Sequence, residues 1–218
     1  MKKNNSDGKP YYSQRNNELR PEGACNVTAM INALSAAGWP VERLADEKYR
    51  QPEDALMHFL LADANIDREW HRIDPPGSYP PNEWHPLLCL GTNMLLRNKG
   101  LLGRTDTAVT FSETHLVTDF AEAVDAGGAA VVSGCFETAN RRVIGHVVAV
   151  VGYKADDTNG TVKSFLLDDP WGDYRTKYED AHGNDIEMPL SDFTAVIKAK
   201  GSEIKLGHIV RKYTEAAA

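Results

Sequence analysis

The sequence predicts an α+β fold, with helices first and an antiparallel sheet after them. Up to about residue 126, apolar residues recur at helical spacing between Gly and Pro stops. From residue 129 onward, short β-branched runs are joined by short polar links, the pattern of neighbouring antiparallel strands. The change falls at Gly127-Gly128, a helix stop. One domain over residues 10–218 is expected, with a helical part at about 25–126 and a sheet part at about 129–218. Residues 1–9 are polar and rich in Lys and Asn, and read as a flexible tail.

Residues 10–14 (Pro-Tyr-Tyr-Ser-Gln) read as extended and residues 15–23 as a polar loop. Ala29, Met30, Ala33, Leu34 and Ala37 then mark a helix over about 25–37, stopped by Gly38 and Pro40. A short helix is expected over 42–50. Pro52-Glu53-Asp54 has the proline and acids of a first turn, and Leu56, Phe59, Leu60 and Ala64 give the following helix its packing face. Residues 71–86 hold two Pro-Pro pairs and form a loop punctuated by Trp84, among other aromatics. A helix follows over 87–97, a strand over 105–111, and a helix over 112–126 with Leu116, Phe120, Ala123 and Val124 on one face. Strands are expected at 129–136, 145–153 and 162–167, and a last helix near 191–199.

The chain has 218 residues and a net charge of −7, which argues against nucleic acid or an anionic membrane as partner. No run of ~18 apolar residues is present, so membrane insertion is not expected. The first residues, Met1-Lys2-Lys3, precede no apolar stretch, so synthesis in the cytoplasm without a signal peptide is the expectation. Cys25, Cys89 and Cys135 are too widely spaced for a disulfide framework or a zinc site. His58, His71, His85, His115, His182 and His208 form no recognisable ligand cluster. No metal or cofactor is called for.

Cys25 opens its helix, near the positive end of the backbone dipole, where the nucleophilic thiolate form is favoured. A cysteine nucleophile needs a base, a group that orients the base, and donors for the oxyanion. His146 opens the apolar strand 145–153, with Gly145 leaving room beside the imidazole. Asp169 ends the next strand, before Pro170, where it can lie beside the start of its neighbour. Asp168 is the rival, since adjacent strand residues face opposite ways and at most one of the two can meet His146. Gln14 is the candidate oxyanion donor, together with the Cys25 N–H. Cys89 and Cys135 read as core.

Taken together, Tyr12-Ser13-Gln14, Gly23-Ala24-Cys25-Asn26-Val27-Thr28-Ala29-Met30, the strand from Gly145-His146 to Gly152-Tyr153, and Asp168-Asp169-Pro170-Trp171-Gly172-Asp173-Tyr174 resemble the papain-like cysteine peptidases. The branch is the one that includes the leader-cleaving domains of bacteriocin exporters and their phage and bacterial relatives. The resemblance covers about residues 10–178. It implies a papain-like fold, Cys25 as nucleophile, His146 as base, Asp169 as orienter and Gln14 as oxyanion donor. It also implies peptide-bond hydrolysis through an acyl-enzyme, without a metal. By analogy with the phage relatives, the expected substrate is the peptide part of peptidoglycan, cut by an endolysin released to the wall. A protein-processing peptidase or transpeptidase is the alternative, and a non-enzymatic binding module on the same fold is another.

Overall fold

A computed structural model describes residues 1–62, 84–197 and 204–215. The expectations for 63–83, including most of the proline-rich loop and His71, and for residues 198–199 of the last helix lie outside these residues. The described part has five α-helices: α1 (Cys25–Ala36), α2 (Pro52–Leu61), α3 (Trp84–Asn98), α4 (Val117–Asp125) and α5 (Leu190–Val196). It has seven strands: β1 (Lys2–Asn4), β2 (Val109–Leu116), β3 (Ala129–Glu137), β4 (Val143–Ala155), β5 (Val162–Asp168), β6 (Ile186–Pro189) and β7 (Ile204–Val210). The strands form one antiparallel sheet in the order β2-β7-β3-β4-β5-β6, with β1 also on β4. The α+β expectation holds.

Both faces of the central strands are covered, which is why β3 and β4 read as unbroken apolar runs rather than as alternating ones. Val131, Val147, Ala149 and Val151 pack with α1, α2 and α3. Ala130, Val132, Val148 and Val150 pack on the other side with Phe120 of α4 and Phe193 of α5. Along α1 every residue from Val27 to Ala36 is buried, so this helix is central rather than peripheral. Its small residues Ala29 and Ala33 admit close packing against β4.

Helix α1 also holds the chain that precedes it. The Asn32 side chain bonds both the N–H (2.8 Å) and the C=O (2.9 Å) of Tyr12, and Ser35 Oγ donates to Pro10 O (3.1 Å). Residues 10–14 are thereby fixed along the helix, and Gln14 arrives beside Cys25.

Several expectations need correction. Residues 1–9 do not stand off as a tail. Lys2–Asn4 pairs with residues 152–154 of β4, and the Met1 ammonium bonds Ala155 O and Asp157. Gly152 makes this pairing possible, because a Cβ there would lie 2.4 Å from Lys3 O. The helix expected over 42–50 shrinks to a 3-10 turn at Val41–Leu44. The helix expected over 112–126 starts only at Val117. The preceding residues extend β2, which pairs with β7, a strand about 95 residues later that no local pattern announces. Asp119 rather than Ser112 marks the start, its carboxylate accepting the Leu116 N–H at 3.0 Å. The strand expected over 105–111 begins at Val109, and the helix expected from 87 begins at Trp84. Among the described residues no helix is long and apolar enough to cross a membrane.

Candidate active site

Cys25 is the first residue of α1, where helix geometry leaves the N–H groups without intrahelical acceptors. The residue before it, Ala24, has no side-chain oxygen to cap them, and the Val27 N–H is taken by Asn26 Oδ1 (2.8 Å). Opposite lies the start of β4. His146 is 4% exposed, and its Nε2 is 2.6 Å from Asp169 Oδ1. With Nε2 engaged by the carboxylate, Nδ1 is left for the thiol, and Cys25 is near enough to hydrogen-bond the imidazole. Phe136 and Tyr178 meet the ring edge-on from two sides, at 5.4 and 5.7 Å between centroids.

The register of β4 and β5 explains the pairing. Ala149 lies opposite Asp168, so the next residue, Asp169, passes back along β4 toward His146. Asp168 faces away, and its Oδ1 accepts the Asp185 N–H at 3.0 Å. Burial pushes the Asp168 carboxyl up to about 7, against the pull of that N–H, while the Asp185 charge pushes the same way as burial. His146 is shifted as well. Burial by itself lowers its pKa, but the charge and hydrogen bond of Asp169, helped by Cys25, more than offset this and raise it to about 10. Asp169 thus favours the charged form of the imidazole.

Asp169 is held from several directions. Its side chain accepts the Trp171 N–H (2.9 Å), and the Tyr178 hydroxyl lies 3.4 Å from its second oxygen. Its backbone N–H donates to Gly183 O (2.8 Å), and its carbonyl accepts the Tyr11 hydroxyl (2.6 Å). Gly183 is required for this approach, because a Cβ there would fall 1.9 Å from the Asp169 carbonyl. Burial and the Asp169 charge push the Tyr11 and Tyr178 phenols far up, so both stay protonated and can donate.

Gln14 is 2% exposed, and its Nε2 donates to Pro21 O at 2.7 Å. That bond fixes the amide's orientation, and the second N–H of the same nitrogen remains. Gln14 and Cys25 line the same cleft of about 600 Å³, with His146, Gly145 and Trp171. Gly145 does not make room for the imidazole, as expected from sequence. A Cβ on it would meet nothing within 4 Å, so it opens onto the cleft instead. A second, smaller recess of about 260 Å³ meets the first at Cys25, Gly145 and His146 and runs past Trp84 and Ser133.

The structure thus brings Gln14, Cys25 and His146 together at one cleft, with Asp169 buried against His146, and leaves Asp168 turned away. Sequence reasoning missed the supporting residues. Arg15 stacks on the Trp171 ring (4.6 Å) and donates to Trp171 O (2.6 Å) and Tyr178 O (3.0 Å), tying the Gln14 segment to the loop after Asp169. Tyr178 reaches the site because Lys177 and Tyr178 both adopt positive φ (55° and 69°), which no residue type there announces.

Of the other cysteines, Cys89 is half-buried on the core and donates to Val109 O (3.2 Å), and burial raises its thiol to about 11. Cys135, expected in the core, is exposed. His85 and His208 lie 5.3 Å apart in the interior, with His208 donating to His85 O (2.9 Å).

No curated protein matches the chain. A family does match, over a stretch that takes in Gln14, Cys25, His146 and Asp169. Residues 7–188 fit the Peptidase_C39 like family, so the chain belongs to that family and is a relative of the papain-like cysteine peptidases.

Proposed function

We propose that this protein hydrolyses peptide bonds, with Cys25 as nucleophile, His146 as acid and base, Asp169 as orienter and Gln14 as oxyanion donor. The observation that carries the reading is the buried His146, between Cys25 and Asp169 at the junction of two recesses. A charged imidazole beside the thiol suits a thiolate–imidazolium pair, the reactive state of cysteine nucleophiles.

The thiolate attacks the carbonyl carbon, and the developing oxyanion takes hydrogen bonds from Gln14 Nε2 and the Cys25 N–H. His146 gives its proton to the leaving nitrogen as the C–N bond breaks. The neutral imidazole then removes a proton from water, which attacks the thioester. The Cys25 thiolate leaves, His146 is again charged, and the acid product departs. Asp169 keeps the ring turned so that Nδ1 faces the thiol throughout.

We further propose that the substrate is the peptide portion of peptidoglycan, cut by an endolysin-type activity. Both charge signs line the larger recess, with Glu22 on one bank and Arg142 on the other. Wall peptides, which carry free amines and carboxylates close together, suit such a lining. The test is digestion of purified peptidoglycan. New free amines should appear with the wild type and not with Cys25→Ala or His146→Ala. Intact wall peptides beside cleavage of a defined protein would move the assignment to protein processing.

A further inference from the structure

The two recesses that meet at Cys25 differ in charge. The smaller one, past Trp84 and Ser133, is lined by no Asp, Glu, Lys or Arg among the described residues. The larger one has one of each sign, and each comes from a different bank. Glu22 belongs to the 3-10 turn just before Cys25, and Arg142 to the turn between β3 and β4. Both turns are internally braced. The Gly23 N–H donates to Arg20 O (2.8 Å), and Pro21 O takes the Gln14 amide (2.7 Å). The Arg142 carbonyl accepts both the Thr138 N–H and the Thr138 hydroxyl, each at 2.9 Å. Among the described residues neither the Glu22 carboxylate nor the Arg142 guanidinium makes an ion pair or a side-chain hydrogen bond, with each other or with anything else.

Glu22 and Arg142 are both exposed, line one recess from two braced turns and are unpaired, so each is available to a group that sits in that recess. A single charge would satisfy one bank and repel the other. We propose that this recess recognises a substrate group carrying an ammonium and a carboxylate together, the carboxylate on Arg142 and the ammonium on Glu22. A planar guanidinium can take a carboxylate through two parallel hydrogen bonds, so the Arg142 contact is the more directional of the two. The inference rests on the reading of this cleft as the substrate cleft. It adds that one side of the scissile bond bears the zwitterionic group.

The test uses three synthetic peptides that differ at one residue beside the scissile bond. That residue is 2,6-diaminopimelate, which has both groups, lysine, which has only the ammonium, or 2-aminopimelate, which has only the carboxylate. Wild-type kcat/KM should be highest for the diaminopimelate peptide, by about 10-fold over either other, as expected for one charge-assisted hydrogen bond at a partly exposed site. Arg142→Gln should lower the ratio of 2-aminopimelate to lysine turnover by about 10-fold, and Glu22→Gln should raise it. Equal rates on all three peptides, or variants that lower all three alike, overturn the proposal. Calorimetric affinities of Cys25→Ala for the same peptides supply a readout that needs no turnover. The same ranking there supports the zwitterion site even if catalysis proves to lie elsewhere, and equal affinities overturn it. Undiminished turnover by Cys25→Ala, by contrast, overturns only the catalytic assignment.

Discussion

His146 Nε2 and Asp169 Oδ1 are 2.6 Å apart, with 3% and 0% of their side chains exposed. Taking either charge out of water alone is costly, and the two together are held only because each supplies the other's counter-charge. Burial lowers the affinity of His146 for a proton, and Asp169 raises it by more. The pair therefore favours the imidazolium form of His146 beside Cys25.

The first expectation concerns pH. Activity that needs the imidazolium should hold through neutral pH and fall only as His146 loses its proton, toward about 10. In Asp169→Asn the larger raising influence is gone and burial is opposed by Cys25 alone, so the alkaline limb of kcat/KM should move to lower pH. The rate at pH 7 should drop roughly 100-fold or more, as when other triads lose their carboxylate. An alkaline limb that stays in place in Asp169→Asn would disprove the assignment of the orienter. The same pair contributes to folding. Its folded pKa lies above the unfolded value of about 6.5, so its stabilisation is complete below that pH and is lost as pH rises through about 10.

Gln14 Nε2 has one N–H bound to Pro21 O, and its second N–H is the proposed oxyanion donor. Gln14→Ala should lower kcat by about 100–1,000-fold with little change in KM, the usual signature of a lost oxyanion donor. Gln14→Glu should be no better, because it sets a carboxylate against both the Pro21 carbonyl and the developing negative charge. A KM effect without a kcat effect would assign Gln14 to ground-state binding instead.

Asp168 lies beside the site and outside it, and this separates stability from activity. Its folded pKa, about 7, is raised above the free value of 3.8. The stabilisation from its protonated form is complete below 3.8 and lost as pH climbs through 7. Asp168→Asn keeps an oxygen for the Asp185 N–H and removes the charge. It should leave the melting temperature nearly unchanged below pH 3.8 and raise it increasingly above that, by several degrees at pH 8. Activity at pH 7 should persist. Loss of activity in Asp168→Asn as deep as in Asp169→Asn would show that the two carboxylates have been assigned the wrong way round.

What was legible in the sequence was what local chemistry writes. A helix that opens on Cys25 and an acid before Pro170 are each found where expected, and the β-branched strand carrying His146 is found too, though it opens earlier, at Val143. The pairing of β2 with β7, and of Lys2–Asn4 with β4, depends on partners about 95 and 150 residues away. Nothing near residues 2–4 or 112–116 states that a strand edge awaits them. The acids of α2 are the clearest case. Glu53 and Asp54 read as the acids of a helix's first turn, and nothing in that pattern announces that they are 0% and 1% exposed. Neither Glu53 oxygen has a hydrogen-bond partner among the described residues, and burial lifts its pKa to about 7. Asp54 instead captures a loop from elsewhere in the chain.

That capture supports the last expectation. Asp54 Oδ2 accepts the Glu18 N–H and Oδ1 the Leu19 N–H, each at 2.9 Å, which anchors the loop leading from Gln14 to Cys25. Both donors are backbone groups with a buried carboxylate as partner, so losing it leaves two N–H groups short of an acceptor. Asp54→Ala should cost about 2–4 kcal/mol, or roughly 5–10 °C in melting temperature for a domain of this size. Asp54→Asn retains one acceptor oxygen and turns an NH2 toward the other donor, so it should fall between wild type and Ala. The loop carries Pro21, whose carbonyl orients the Gln14 amide, so kcat should fall along with stability even well below the melting temperature. An Asp54→Ala protein that melts at the wild-type temperature would mean that the loop is held by its contacts with α1 alone. One that melts early but retains full kcat at low temperature would show that Gln14 keeps its place without this anchor.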